Sequence, residues 1–139
     1  RPYVVDRVVS PEGSRLTQPI AVRQVITPET ARTMRGMLKQ VAEEGTAGKG
    51  TVAGFSVAGK TGTASIPSAS GYDDKTIASM VGMVPYDEPK AVILVKVDNP
   101  KNSPWGSQVA APVFSALAKE LLVYWRVPPT EDAYVSTVR

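Results

Sequence analysis

The sequence predicts an α/β fold of the α+β type, an antiparallel sheet flanked by helices, and three observations carry that expectation. Residues 76–84 and 91–97 are short runs that are apolar on both faces. Pro85-Tyr86-Asp87-Glu88-Pro89-Lys90 separates them, a length and composition suited to a hairpin and hence to antiparallel neighbours. Two longer stretches, 27–45 and 109–126, place apolar side chains at helical spacing. Strands that are apolar on both faces need cover on both, and helices supply it.

The elements follow in order. Residues 1–26 form an extended or hairpin region: Tyr3-Val4-Val5 and Val8-Val9 are strand-like, Ser10-Pro11-Glu12-Gly13 is a turn, and residues 20–26 resume extended structure. A helix over 27–45 has a clear start, with Thr27 as N-cap, Pro28 in the first turn and Glu29 at the positive end of the dipole. Ala31, Met34, Leu38 and Val41 make its apolar stripe, while Arg32, Arg35 and Lys39 face water. Met34 and Met37 read as core filler. Gly45 ends the helix, and residues 45–50 form a glycine-rich loop.

Three core strands are expected within residues 51–98. The first lies around 57–66, followed by a polar loop over 67–74. Residues 99–106 form a second polar loop. A closing helix over 109–126 takes Pro112 as its opening proline and carries Val113, Phe114, Leu117, Leu121 and Trp125 as its stripe. Val127-Pro128-Pro129 stops it, and the tail 130–139 has no pattern.

Composition narrows the chemistry. The 139 residues suit one domain, and 42% hydrophobic with 21% charged residues is ordinary for a globular chain. A net charge of +3, with Lys and Arg scattered along the chain, describes solvated faces rather than a nucleic-acid or membrane patch. There is no cysteine and no histidine. Thiol catalysis, Cys or His zinc sites and Ser-His catalysis are therefore excluded within this chain, and no metal or cofactor is expected. No run approaches eighteen apolar residues. The chain opens on Arg1 rather than Met, so it is expected to be an internal piece of a longer protein.

The stretch Val57-Ala58-Gly59-Lys60-Thr61-Gly62-Thr63-Ala64-Ser65-Ile66 organises the rest. Two glycines, at about 1 kcal/mol each, and the following Pro67 argue against a helix. An extended reading puts Gly59, Thr61 and Thr63 on one face and Lys60 and Gly62 on the other. Its glycines leave the backbone open to close approach by another chain or ligand. Two chemistries compete, beside the plain reading of a strand whose lysine points to solvent.

One is a phosphate site, because residues 54–61 fit the P-loop pattern letter for letter. That chemistry needs a helix starting after the loop, and Gly62, Pro67 and Gly71 forbid one. The other is acyl-group chemistry at a strand edge, where a cation, hydroxyls and free N–H groups can receive a carboxylate-terminated peptide.

The second reading gains from a resemblance. Lys60-Thr61-Gly62 is similar to the third motif of the penicillin-recognising serine enzymes. Residues 57–64 resemble that motif in class B penicillin-binding protein transpeptidases of the cell-division and elongation type. Gly71-Tyr72 and residues 77–85 resemble their next strand. Asp98-Asn99-Pro100 and residues 109–114 resemble the later strand end and the closing helix.

The resemblance implies a peptidoglycan D,D-transpeptidase that works through a serine acyl-enzyme, with β-lactams as inhibitors and the C-terminal part of its fold represented here. It implies that Lys60 holds positive potential and orients a serine of the second motif. Thr61 would bind the terminal carboxylate of a D-alanyl-D-alanine stem peptide, and Gly62 would let that backbone lie flat. The Thr63 N–H would be one of two oxyanion donors, with its side chain near the carboxylate. The implied partners are the stem peptide, β-lactams, the upstream part of the same domain and division or elongation proteins, with no nucleic acid. The implied location is the extracytoplasmic face of the bacterial cytoplasmic membrane, the anchor lying upstream.

Two motifs of that pattern are missing. No serine has a lysine three residues on, and none has an asparagine two residues on. The nucleophile, its lysine base and the other oxyanion donor are therefore expected upstream, and the isolated chain is expected to be inactive. An interaction domain that kept the fold without the chemistry is the alternative.

Overall fold

A computed structural model of the chain describes residues 3–69 and 71–129. These fall into two compact units that divide between Ala31 and Arg32. The expected tail, 130–139, lies outside the described residues.

The first unit holds a hairpin. Strand β1 (Arg7–Ser10) pairs antiparallel with β2 (Gly13–Leu16), Ser10 opposite Gly13 across the turn. The Thr17 N–H donates to the Asp6 carbonyl at 2.7 Å and its hydroxyl to the Val5 carbonyl, closing the open end. Among the described residues the runs 3–5 and 20–26, expected to be extended, are not strands of either sheet: short β-branched runs suit irregular chain as readily as a strand.

Helix α1 (Pro28–Glu44) begins at the expected cap, the Thr30 N–H donating to the Thr27 hydroxyl at 3.2 Å. The helix ends before Gly45, where a side chain would meet the Val41 carbonyl at 2.7 Å. The methionines correct the expectation of core filler: Met34 and Met37 are about half exposed and lie outside the buried core cluster. Only the C-terminal end of α1, through Ala42 and Val41, joins the core. Lys39 does not face water freely either. Its ammonium lies 4.6 Å from the centre of the Tyr86 ring and 3.8 Å from Glu43.

A 3-10 turn at Gly48–Gly50 occupies the expected loop. Three antiparallel strands then form the second sheet in the order β3 (Ala58–Ser68), β4 (Gly71–Val84), β5 (Ala91–Asp98). The polar loop expected over 67–74 is largely ladder: Pro67 pairs with Tyr72 and Ser68 with Gly71, after a register shift between Ser65 and Pro67. Proline is tolerated there because β3 is an edge strand and the shift marks an irregularity. This arm was invisible to pattern reading because it is exposed, and an element without a buried face carries no apolar alternation.

Helix α2 (Gly106–Tyr124) packs on β3, β4, β5 and the 3-10 turn. It starts at Gly106, not at the expected residue 109, and Pro112 lies in its interior rather than at its opening. Pro112 and Gln108, whose carbonyl loses its helical partner, are both exposed, so water can satisfy that oxygen. The Ser115 hydroxyl donates to the Thr51 carbonyl at 2.6 Å, and the Lys49 ammonium donates to the Gln108 amide oxygen. Phe114, Met80, Leu122, Val57 and Val84 are the largest fully buried side chains. The Phe114 ring lies over Gly82, where an added Cβ would stand 2.6 Å from its Cζ.

That helix fixes the two faces of the sheet. Gly59, Gly82 and Ile93 align on the buried face, as do Thr61 with Met80 and Thr63 with Ala78. The other face carries Lys60 beside Val81 and Leu94, and Val92 beyond them. Val92 is 70% exposed and Leu94 66%, so among the described residues this face lacks the helical cover expected on both faces.

Candidate active site

All four residues singled out in the sequence lie in the first half of β3, which pairs with β4 on one edge and with no described strand on the other. Alternation separates them as expected. Lys60 and Gly62 share the uncovered face, whereas Thr61 and Thr63 share the face covered by α2.

Lys60 is exposed, and its ammonium donates to the Thr61 carbonyl at 2.8 Å. That contact holds the cation along the strand and leaves further N–H donors for an anion. The Thr61 hydroxyl is 3.0 Å from the Thr46 hydroxyl, and either can be the donor. The Thr63 hydroxyl accepts the Gly106 N–H at 3.2 Å. A Cβ on Gly62 would meet the Ser79 hydroxyl at 2.7 Å, so the bare backbone at 62 leaves room for its cross-strand neighbour as well as for a ligand.

Sequence reasoning missed Thr46 and Gly106. Thr46 lay in a stretch read as loop, and Gly106 in a polar loop read as ending before the helix. The available signal was modest: a threonine beside the glycine that ends α1, and a glycine bordering the last apolar stripe.

The phosphate reading fails on geometry. The Phe55 N–H donates to the Val52 carbonyl at 3.0 Å in a tight turn, and Gly54 there has φ +86°. From Ala58 the chain continues as strand to Ser68, so no helix N-terminus follows Thr61 to receive phosphate. Among the described residues no group of three Asp or Glu side chains is placed to hold a metal ion.

What the arrangement can do is bind an extended, carboxylate-ended chain along an open strand edge, with cation and hydroxyls on either side of it. Comparison with known proteins gives the family. The penicillin-binding protein transpeptidase domain family matches residues 1–119. Stage V sporulation protein D of Bacillus subtilis is 35% identical over 136 residues, which is 94% of this chain and 21% of that protein. Peptidoglycan D,D-transpeptidase FtsI of Buchnera aphidicola is 32% identical over 131 residues, 92% of this chain and 22% of that protein.

Among solved structures, penicillin-binding protein 3 of Mycobacterium tuberculosis in complex with ampicillin superposes with a TM-score of 0.79 at 29% identity. The match covers 91% of this chain and 31% of that one. The chain thus spans about a fifth of the length of the curated relatives it matches. With that match to residues 1–119, the chain belongs to the penicillin-binding protein transpeptidase family.

Proposed function

We propose that residues 1–139 are the C-terminal portion of a serine D,D-transpeptidase domain, in which Lys60–Thr63 forms one wall of the acyl-transfer site. The observation that carries this is the open edge of β3, with a cation on one face and two hydroxyls on the other. A serine supplied by the upstream sequence attacks the carbonyl of the penultimate D-alanine of a stem peptide, and the terminal D-alanine leaves. The amine of a second stem peptide then takes the acyl group and releases the serine.

In this scheme Lys60 holds positive potential in the cleft and orients the serine of the second motif, and Thr61 receives the terminal carboxylate. Gly62 admits the substrate backbone along the strand. The Thr63 N–H is an oxyanion donor, and losing such a donor typically costs about 2.7–4 kcal/mol of transition-state stabilisation. A β-lactam enters as a carboxylate-bearing mimic and stops at the acyl-enzyme.

Division or elongation proteins are the partners this role implies, and the extracytoplasmic face of the cytoplasmic membrane is its place. Among the described residues no helix is long and apolar enough to cross a membrane. The test is covalent labelling of the full-length protein by a fluorescent penicillin, with Lys60→Met alongside wild type. Stoichiometric labelling of wild type, slowed at least about a hundredfold by the substitution, is expected. Labelling at the same rate in both would remove Lys60 from the site.

A further inference from the structure

Helix α2 has no cap of its own. Trp105 occupies the N-cap position with extended backbone, φ −88° and ψ 128°, and makes no side-chain hydrogen bond to the helix. The first N–H of the helix, that of Gly106, donates instead to the Thr63 hydroxyl oxygen. A residue of the proposed site wall therefore caps the helix behind it. A hydroxyl that accepts from a backbone N–H still has its own proton to donate. The aligned peptide dipoles at a helix start favour negative charge on the oxygen they face.

The contact depends on residue 106 being glycine. A Cβ there would stand 2.4 Å from the Ser79 carbonyl oxygen and 2.5 Å from the Gly62 carbonyl oxygen. Both are backbone atoms of paired sheet residues, and Gly106 is itself buried, so neither side can yield by turning a side chain. A larger residue must push α2 and β3 apart.

We infer that Gly106 is a positioning residue for acyl transfer: it seats α2 against Gly62 and turns the Thr63 hydroxyl so that its proton points away from the helix, toward a bound carboxylate. This rests on the reading of Lys60–Thr63 as a site wall. Misplacing a positioned group by about 1 Å can cost about a hundredfold in rate. The spacing of α2 from β3 is thereby a determinant of acylation as well as of folding.

The experiment is a double-mutant cycle in the full-length protein, read by the second-order rate of labelling with a fluorescent penicillin per folded molecule. Gly106→Ala should slow labelling about ten- to a hundredfold. Combined with Thr63→Val, it should cost several-fold less beyond Thr63→Val alone than it costs in the wild type, because part of its effect runs through the shared contact. Hydrogen exchange of the peptide spanning residues 103–109 gives a second readout that needs no activity. Thr63→Val should speed exchange at Gly106 at least about tenfold, while Thr63→Ser, which keeps the acceptor, should leave it protected.

An unchanged labelling rate in Gly106→Ala, losses that multiply in the double variant, or unaltered exchange in Thr63→Val would each overturn the inference. If Gly106→Ala does not fold, the exchange comparison decides alone. A wild-type protein that takes no label would sink the acyl-transfer reading, and exchange would still report whether Thr63 holds Gly106.

Discussion

The hydroxyls of Thr46 and Thr61 lie 3.0 Å apart, joining the end of the α1 connection to the proposed carboxylate site on β3. A hydroxyl has one proton and two lone pairs, so Thr61 can accept from Thr46 and still donate to a carboxylate. Thr46→Val removes the partner at nearly constant shape. We expect the full-length protein to lose about 0.5–1.5 kcal/mol in its labelling by carboxylate-bearing β-lactams. Thr61→Ala should weaken those ligands far more than it lowers the urea midpoint. Equal losses in binding and in folding would make Thr61 a structural residue, and labelling rates beside urea melts separate the two.

Lys60 predicts a salt dependence. Its ammonium is exposed, so its attraction for an anionic ligand is screened as the Debye length shrinks from about 10 Å at 0.1 M to about 3 Å at 1 M salt. The labelling rate of the full-length protein should fall across that range. In Lys60→Met the fall should flatten. Equal slopes in the two proteins would place the steering charge elsewhere.

The isolated 139 residues should not be acylated. No serine here, Ser65 and Ser68 of β3 included, has a lysine three residues on, and the hydroxyls of Thr61 and Thr63 are held by Thr46 and by the Gly106 N–H. A fluorescent penicillin incubated with the purified chain should leave its mass unchanged. One covalent adduct per chain would show that a nucleophile lies within these residues.

How legible the molecule was in its sequence depended on burial. The runs that became the inner half of β4 and β5 were readable because Ala78, Met80, Val84 and Ile93 had to be apolar to meet α2. The Lys60–Thr63 stretch was readable as strand from its glycines and the following proline, and its alternation followed from strand geometry. The outer β3–β4 arm, solvated on its described surfaces, left no such trace. The start of α2 was misplaced because proline marks a first turn only when nothing else holds the earlier residues. Here Thr63 and Lys49 hold them through Gly106 and Gln108. Neither tertiary contact can be inferred from local spacing.

Gly82 tests the packing that supports β3 from beneath. It pairs with Gly59, the residue before Lys60, and an added Cβ would meet Phe114 Cζ at 2.6 Å, Phe114 Cε2 at 2.9 Å and the Ala58 carbonyl at 3.1 Å. Phe114 is fully buried, so its ring has no solvent side to turn toward. Overpacking of this kind typically costs about 1–3 kcal/mol. Gly82→Ala in the full-length protein should lower stability to urea by that amount. Phe114→Leu should also destabilise, through the smaller side chain it leaves in a close-packed site. Together the two should cost less than their sum, because the leucine vacates the volume that the new methyl group needs. Additive costs would mean that the strain at Gly82 comes from the Ala58 carbonyl rather than from the ring, and urea midpoints of the four proteins distinguish the two.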